Sequence, residues 1–425
     1  MNIAIIGLGN IGSYLYRYLN DNKKILTEKN NCLPVIKYIS AKNKNLKRNI
    51  KFKKEQWLNN YLDAAKIKDV DLIVELIGGS EGPAKKLVFN ALKNKKNVVT
   101  ANKALIAKYG DKLAKIAEKN KVNLEFEASV CGGVPIIRSL KEGLIANKIS
   151  KIYGIFNGTS NYILSSMDKQ NKTFEEVLFN AKKLGYAESN PSADLNGDDV
   201  SSKLKILSSL CFSSYLNDNI YVEGITEIDK TDIDNANKLG YKIKLLGFAE
   251  LLNNKIYQRV HPTFIKKDSY VGSIDGVLNA VIIDGKPVGQ SILQGEGAGP
   301  SATTSALVSD ISSILRGNVK FPFSLSSKER KKLRFENIDN RLFSAYLRFE
   351  VIDKPGVLSN ITNIFSKNKV SIKRLIQNQN KNKKISSVII VTHKSKDKYL
   401  NKILREVAKK GYIKKKPKLI RIDDN

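Results

Sequence analysis

Between residues 185 and 203 the chain reads GYAESNPSADLNGDDVSSK. Four carboxylates fall there within twelve residues, Glu188, Asp194, Asp198 and Asp199, and Lys203 closes the run. The cluster admits three readings: a solvated acidic loop, a cage for a hard cation, or the mouth of a site for a cationic substrate. DLNGDD lacks the full twelve-residue calcium loop with its closing Glu, which disfavours a divalent ion. Asp199 and Lys203 stand four apart. On a helix beginning near Gly197 they share a face, about one turn apart. An ordinary surface pair at that spacing stabilises by about a few tenths of a kcal/mol. A converging set does more. Glu188 on the upstream turn and Asp194, bending back to the helix start, can recognise an ammonium and help keep a nearby lysine protonated. Asp198 reads as a solvated spectator.

A second chemical pattern lies at the N-terminus. IAIIGLGNIGSYL sets Gly7, Gly9 and Gly12 as G-x-G-x-x-G directly after an apolar run, with Asn10 and Ile11 opening the next helix. Gly7 permits a tight turn, Gly9 lets backbone approach a pyrophosphate, and Gly12 lets helix pack on strand. The helix N-terminus then stabilises phosphate charge. An acidic residue about 20 positions on would hold the ribose of NAD. Here the second strand ends YISAKNKNLKR, with no carboxylate, and Ser40, Lys42 and Lys44 suit a 2′-phosphate. NADP is therefore expected over NAD. TANKALIA places Thr100 and Lys103 just after the run NVVT, at the strand end where ligands bind in such sheets. EASVCGGV is a glycine-rich turn that can aim carbonyls at a monovalent ion with Glu127 as charged anchor, or is a plain turn between domains. Cys131 inside it reads as a small filler. GEGAGP offers flexible backbone around Gly299 ahead of a helix.

The elements that must position these groups follow from pattern and bulk. The chain has 425 residues, enough for two or three domains. Its net charge is +32, but the lysines are scattered among Asn and Ile instead of massed on one face, so nucleic acid is not an expected partner. Three cysteines, odd in number and far apart, and two lone histidines, His261 and His393, give no disulfide framework, zinc spacing or His-based triad. The first residues read as a strand and not a secretory signal, and no apolar run approaches the roughly 18–20 residues of a membrane span. A cytoplasmic protein without a membrane partner is expected. Strand–helix alternation over 1–135 predicts an α/β, Rossmann-type doubly wound parallel sheet. Residues 136–298 read as an α+β substrate-binding and dimerisation domain with an open mixed sheet, including a hairpin at Asp284-Gly285. The helix of 299–320 returns to complete the first domain. Residues 321–343 are polar and read as a linker, and 344–422 follow a βαββαβ pattern.

Five segments, TANKALIA (100–107), FEASVCGGVPIIR (126–138), IFNGTSNYIL (155–164), LGYAESNPSADLNGDDVSSK (184–203) and GEGAGPSATTSALVSD (295–310), resemble homoserine dehydrogenase, over roughly residues 1–320. LRFEVIDKPGVLSNITNIFSKNKVSI resembles an ACT domain. The resemblance implies reversible, nicotinamide-dependent interconversion of L-aspartate 4-semialdehyde and L-homoserine, on the way to threonine and methionine. It implies Lys203 as proton donor and Lys103 as a second lysine near substrate and cofactor. Glu188 and Asp199 would hold the substrate, with Gly185 at the turn and Asp194 close by, and Gly299 would approach the nicotinamide. A sodium-like cation would sit on Glu127 and the carbonyls of Val130, Gly132 and Val134. A homo-oligomer, dimer or tetramer, is implied, with threonine as candidate ligand of the ACT domain or that domain serving dimerisation alone. Asn190 stands where the family often has aspartate, and Ser201-Ser202 replace small or basic residues. Neither change removes a proposed catalytic group. The rival readings are an inactive nucleotide-sensing regulator and a different NADP-dependent aldehyde or amino-acid dehydrogenase.

Overall fold

The computed structural model describes residues 1–379 and 384–423. Five short apolar runs, Asn2–Ile6 (β1), Val35–Ser40 (β2), Leu72–Glu75 (β3), Asn97–Thr100 (β4) and Leu124–Glu125 (β5), pair in parallel in the order β2-β1-β3-β4-β5. Unbroken apolar runs suit strands covered on both faces. Ile3, Ile5, Val74 and Val99 face the helices Asn10–Asp21 and Pro300–Leu315. Ala4, Ile73 and Val98 face Pro83–Lys93 and Lys103–Asn120. The helix Pro300–Leu315 thus packs on the first layer beside Asn10–Asp21.

The remaining strands form one twelve-stranded sheet: Lys148–Ile155 (β6), Tyr221–Val222 (β7), Tyr241–Leu252 (β8), Lys255–Lys266 (β9), Leu278–Lys286 (β10), Gly289–Glu296 (β11), Arg334–Phe335 (β12), Leu342–Ile352 (β13), Ile372–Gln379 (β14), Ile385–Thr392 (β15), Ser395–Lys396 (β16) and Lys418–Asp423 (β17). Its main path runs β11-β10-β6-β8-β9-β17-β13-β15-β14. The open mixed sheet of the middle domain extends past β9: β17 pairs with it in parallel, Arg421 opposite Thr263. The ACT-like unit supplies β17-β13-β15-β14 and the helices Val357–Lys367 and Asp397–Ala408. The hairpin turn also sits three residues beyond its expected place. Asp284 and Gly285 stay in β10, paired with Gln290 and Gly289. Pro287, which has no N–H to offer a ladder, and Val288 make the turn.

The span 321–343 is a packed strap, although its composition read as a linker. Phe323 is fully buried against Phe126, and its ring fills the space a side chain at Gly110 would need. Arg330 stacks on Phe323 and Tyr215 and pairs with Asp111 at 2.8 Å. Two anchoring side chains fix a segment whose average polarity says nothing about them. A second set of buried charges closes the seam between the middle domain and the C-terminal unit. Arg348 reaches Asp232, Asp229 and Glu350, and Arg421 reaches Asp397 and Glu223. Among the described residues no helix is long and apolar enough to cross a membrane.

Candidate active site

The helix Asp198–Cys211 starts at Gly197, whose φ of 89° places it in the left-handed region. Asp198 and Asp199 occupy its first turn, where the helix dipole favours anions. Nearly every side chain from Asp199 onward is buried. Asp199 and Lys203 therefore point from a rigid core helix into a pocket of about 500 Å³. Lys103 enters the same pocket from the dinucleotide domain, at the first turn of Lys103–Asn120. Lys103 Nζ lies 2.7 Å from Asp199 Oδ1, and Lys203 Nζ lies 2.8 Å from Asp199 Oδ2. Lys203 also donates to the Phe156 carbonyl at 2.6 Å. One carboxylate thus joins two lysines from two domains.

Burial alone would raise the Asp199 pKa, but the ammonium groups of Lys203 and Lys103 outweigh it and hold the group well below the usual carboxylate range. Burial would lower Lys203, and the charge of Asp199 overrides that and raises it. Asp194 is raised by burial and by the neighbouring Asp199 charge. Glu188 stands exposed on the pocket rim beside Gly185, which turns the chain with φ 76°. Asp198 is exposed and lies off the pocket, as expected of a spectator.

Residues outside the expected set hold this geometry. Asn157 donates to Asp194 Oδ1 at 2.7 Å and to Asp199 Oδ2 at 2.8 Å. Its own carbonyl oxygen caps the helix Gly158–Gln170. An Asn just before a helical run is a legible cap signal, but nothing in the pattern tells that its amide reaches two carboxylates 37 and 42 residues away. Behind Lys103, Glu75 accepts from the backbone of Ile77 and Gly78 and from the Thr100 hydroxyl. Thr100 accepts from the Asn102 N–H, and the Asn102 side chain caps the Lys103 helix. Thr100 therefore acts through this relay and places the lysine.

At the glycine-rich turn, a Cβ on Gly7 would meet the Leu76 carbonyl at 2.4 Å, and one on Gly12 would meet the Gly7 carbonyl at 2.0 Å. A Cβ on Gly9 would meet nothing within 4 Å, so the space before the helix start is open. Gly9 caps that helix without a side-chain bond, which leaves the first N–H groups, at Asn10 and Ile11, directed at the cradle. These residues fit a dinucleotide pyrophosphate. Ser40 does not face it: its hydroxyl donates to the Leu58 carbonyl. Lys42 is exposed beyond β2. Arg48, overlooked in a lysine-rich stretch, donates to the Leu8 carbonyl inside the glycine turn and lies over Trp57 together with Lys44.

The loop 127–134 packs behind the pocket, Gly133 N–H donating to the Glu296 carbonyl. The Glu127 carboxylate accepts from the backbone of Ile137 and Arg138, and burial pushes its pKa to about 7. The Val134 carbonyl accepts from Ile136. Among the described residues, no group of three His, Cys, Asp or Glu side chains is disposed for a metal ion. Burial pushes the Cys131 thiol up to about 11, which leaves it a packing group and not a nucleophile. Gly299, with φ 107°, closes the far side of the pocket.

A dinucleotide cradle joined to a pocket with two lysines on a shared carboxylate defines a nicotinamide-dependent oxidoreductase. Comparison with known proteins narrows this. Residues 7–127 match the homoserine dehydrogenase NAD-binding domain, 135–312 the homoserine dehydrogenase family, and 347–413 the AHAS small subunit-like ACT domain. A homoserine dehydrogenase of Neisseria gonorrhoeae is 36% identical, covering 100% of this chain and 98% of its relative. The crystal structure of a homoserine dehydrogenase from Thiobacillus denitrificans superposes with TM-score 0.91 at 34% identity, over 100% of this chain and 98% of that one. A hyperthermophilic archaeal homoserine dehydrogenase mutant, in complex with NADPH, matches 73% of this chain and 96% of its own at 26% identity and TM-score 0.63. The chain belongs to the homoserine dehydrogenase family, whose members are oxidoreductases acting on a CH–OH group.

Proposed function

We propose that the protein interconverts L-aspartate 4-semialdehyde and L-homoserine, with Lys203 giving the proton to the aldehyde oxygen. The observation that carries the reading is the pair of lysines on one buried carboxylate, 2.7 and 2.8 Å from its two oxygens. The nicotinamide supplies or accepts the hydride at the terminal carbon of the substrate. The residues must orient the substrate, stabilise charge on its oxygen and move a proton. Lys203, kept protonated by Asp199, stabilises developing alkoxide and then protonates it. Lys103, half-exposed and brought from the cofactor domain, holds the oxygen end of the substrate where the two domains meet. Asp199 fixes both lysines, while Glu188 and Asp194 face the substrate ammonium. The test is an NADP-linked homoserine assay on the unaltered protein and on Lys203→Ala. Near-normal turnover in the variant would sink the mechanism.

NADP is the proposed cofactor, supported by Lys42, Lys44 and Arg48 at the end of β2 and by the absence of a carboxylate there. A clear catalytic preference for NAD would refute it. The loop of Glu127, Val130, Gly132 and Val134 is proposed to take a sodium-like ion on its carbonyl oxygens, each of which has a second lone pair. Activity unchanged between sodium-free and sodium-containing buffer would remove that proposal. For the C-terminal unit we propose threonine as an effector, in the pocket of about 340 Å³ beside Asp353–Leu358 and Gln377. Removing the whole unit is a poor test, because β9 would lose β17. Threonine inhibition unaltered by Gln377→Ala and Pro355→Ala would clear this pocket of the role. A place in cytoplasmic threonine and methionine synthesis, and a homo-oligomeric assembly, complete the proposal. Light scattering of the purified protein reads the assembly.

A further inference from the structure

We infer that Asn157 is a positioning residue that makes Asp194, and not Asp199, the carboxylate presented to the substrate ammonium. The inference rests on the homoserine reading above and specifies which anion does the recognising. Asp199 is already committed to two ammonium groups. Its Oδ1 is taken by Lys103, its Oδ2 by Lys203 and Asn157, and its side chain is almost fully buried. Asp194 is half-buried on the pocket wall. Its Oδ1 accepts from Asn157, and its Oδ2 has no hydrogen-bond partner among the described residues. An ammonium entering the pocket finds an acceptor at Asp194, where at Asp199 it would meet the like charge of two lysines.

Holding two carboxylates side by side is costly, and Asn157 offsets part of it alongside the charges of Lys203 and Lys103. Like charges disfavour joint ionisation, and Asp199 does raise Asp194. A single amide nitrogen gives one hydrogen to each carboxylate. The orientation of the amide is dictated by its surroundings, because Oδ1 accepts the Ser160 N–H and the nitrogen must face the two anions. Three of its hydrogen-bonding positions are used, both donors and one of the two acceptor lone pairs. Aspartate at 157 would preserve the cap and replace both donors with a third negative charge. Serine would preserve the cap alone. The same turn also binds Lys203 through the Phe156 carbonyl, so the geometry of proton donor and ammonium anchor is set by adjacent residues.

Steady-state kinetics of Asn157→Asp and Asn157→Ser test this, with L-homoserine and with 4-hydroxybutanoate, which lacks the ammonium. The expected result in Asn157→Asp is a homoserine KM raised about 10- to 100-fold at pH 7, the scale of one or two charge-assisted bonds. The KM for NADP stays within about twofold, and kcat/KM for 4-hydroxybutanoate changes far less than that for homoserine. Because crowded carboxylates retain protons at low pH, the variant's homoserine KM falls as pH rises from 6 to 9, more steeply than in the unaltered protein. Asn157→Ser shows a smaller rise without the added pH dependence. Equal losses for the two substrates, or an unchanged homoserine KM in folded variants judged by thermal melting, would reduce Asn157 to a helix cap. If the unaltered protein fails to oxidise homoserine at all, the substrate assignment falls first and takes this one with it.

Discussion

Two of the networks of buried charge in this molecule, at the seam and in the active site, make an instructive pair. At the seam, Arg421 grips Asp397 with two nitrogens, at 2.6 and 3.0 Å, and adds Glu223 at 3.0 Å. Arg348 is likewise surrounded by Asp232, Asp229 and Glu350. Planar guanidinium forks meet carboxylates directly there. In the active site the cations are lysines, which bind as point charges, and Asp194 keeps an oxygen without a partner among the described residues. Saturated pairs fix structure. A network left one partner short, beside a pocket, is ready for a ligand. Buried charge by itself marks neither; access and vacancy separate them.

The comparison can be broken by experiment. The largest expected effect is in the site: Lys203→Ala lowers kcat by roughly 10²–10⁴-fold, the usual weight of a general acid, measured by NADPH formation. Next comes the seam. Asp397→Asn leaves the Arg421 guanidinium partly unpaired and costs about 3–5 kcal/mol, read as a lower melting temperature. The remaining folded protein keeps its homoserine KM. If Asp397→Asn instead changed the KM and spared stability, the division between the two networks would be wrong.

A smaller effect follows from pH. Lys203 is raised by Asp199, so it is protonated at neutral pH. Homoserine oxidation needs the neutral amine and rises towards alkaline pH, up to about tenfold per unit below that pKa. Reduction, which uses the charged form, does not gain. A flat single-turnover oxidation rate between pH 7 and 9.5 would argue against a titrating lysine. The smallest effect belongs to Arg48→Ala, expected to shift the NADP-to-NAD preference by about tenfold, the scale of one charge-assisted contact. An unaltered ratio would leave Arg48 as a brace of the glycine turn alone.

Local signals in the chain translated well into structure. The Gly7-Gly9-Gly12 turn, the helix carrying Asp199 and Lys203, and the return helix at 300–315 all announce themselves by spacing and period. What stayed hidden depends on distant partners. The strap read as a linker because its polar residues outnumber Phe323 and Arg330, which anchor it. The β9–β17 pairing could not be seen because an edge strand and a central strand buried alike have the same apolar pattern. Ser40 is at the right distance from the glycine turn for a ribose contact, and only the fold reveals that Leu58 takes its hydroxyl. Asn157 was readable as a cap and unreadable as a bridge.

The parallel pairing of β9 with β17 has a consequence for how the protein is made. The Thr263–Ile265 stretch of β9, near the middle of the chain, must wait with its hydrogen-bonding groups uncovered until β17 has left the ribosome. The sheet of the middle domain is thus completed only after β17 has been made. Early termination would yield a chain with a working nucleotide cradle and a raw sheet edge, the kind of surface that recruits other strands. A chain truncated ahead of Lys418 should therefore give less soluble protein than one carrying β17.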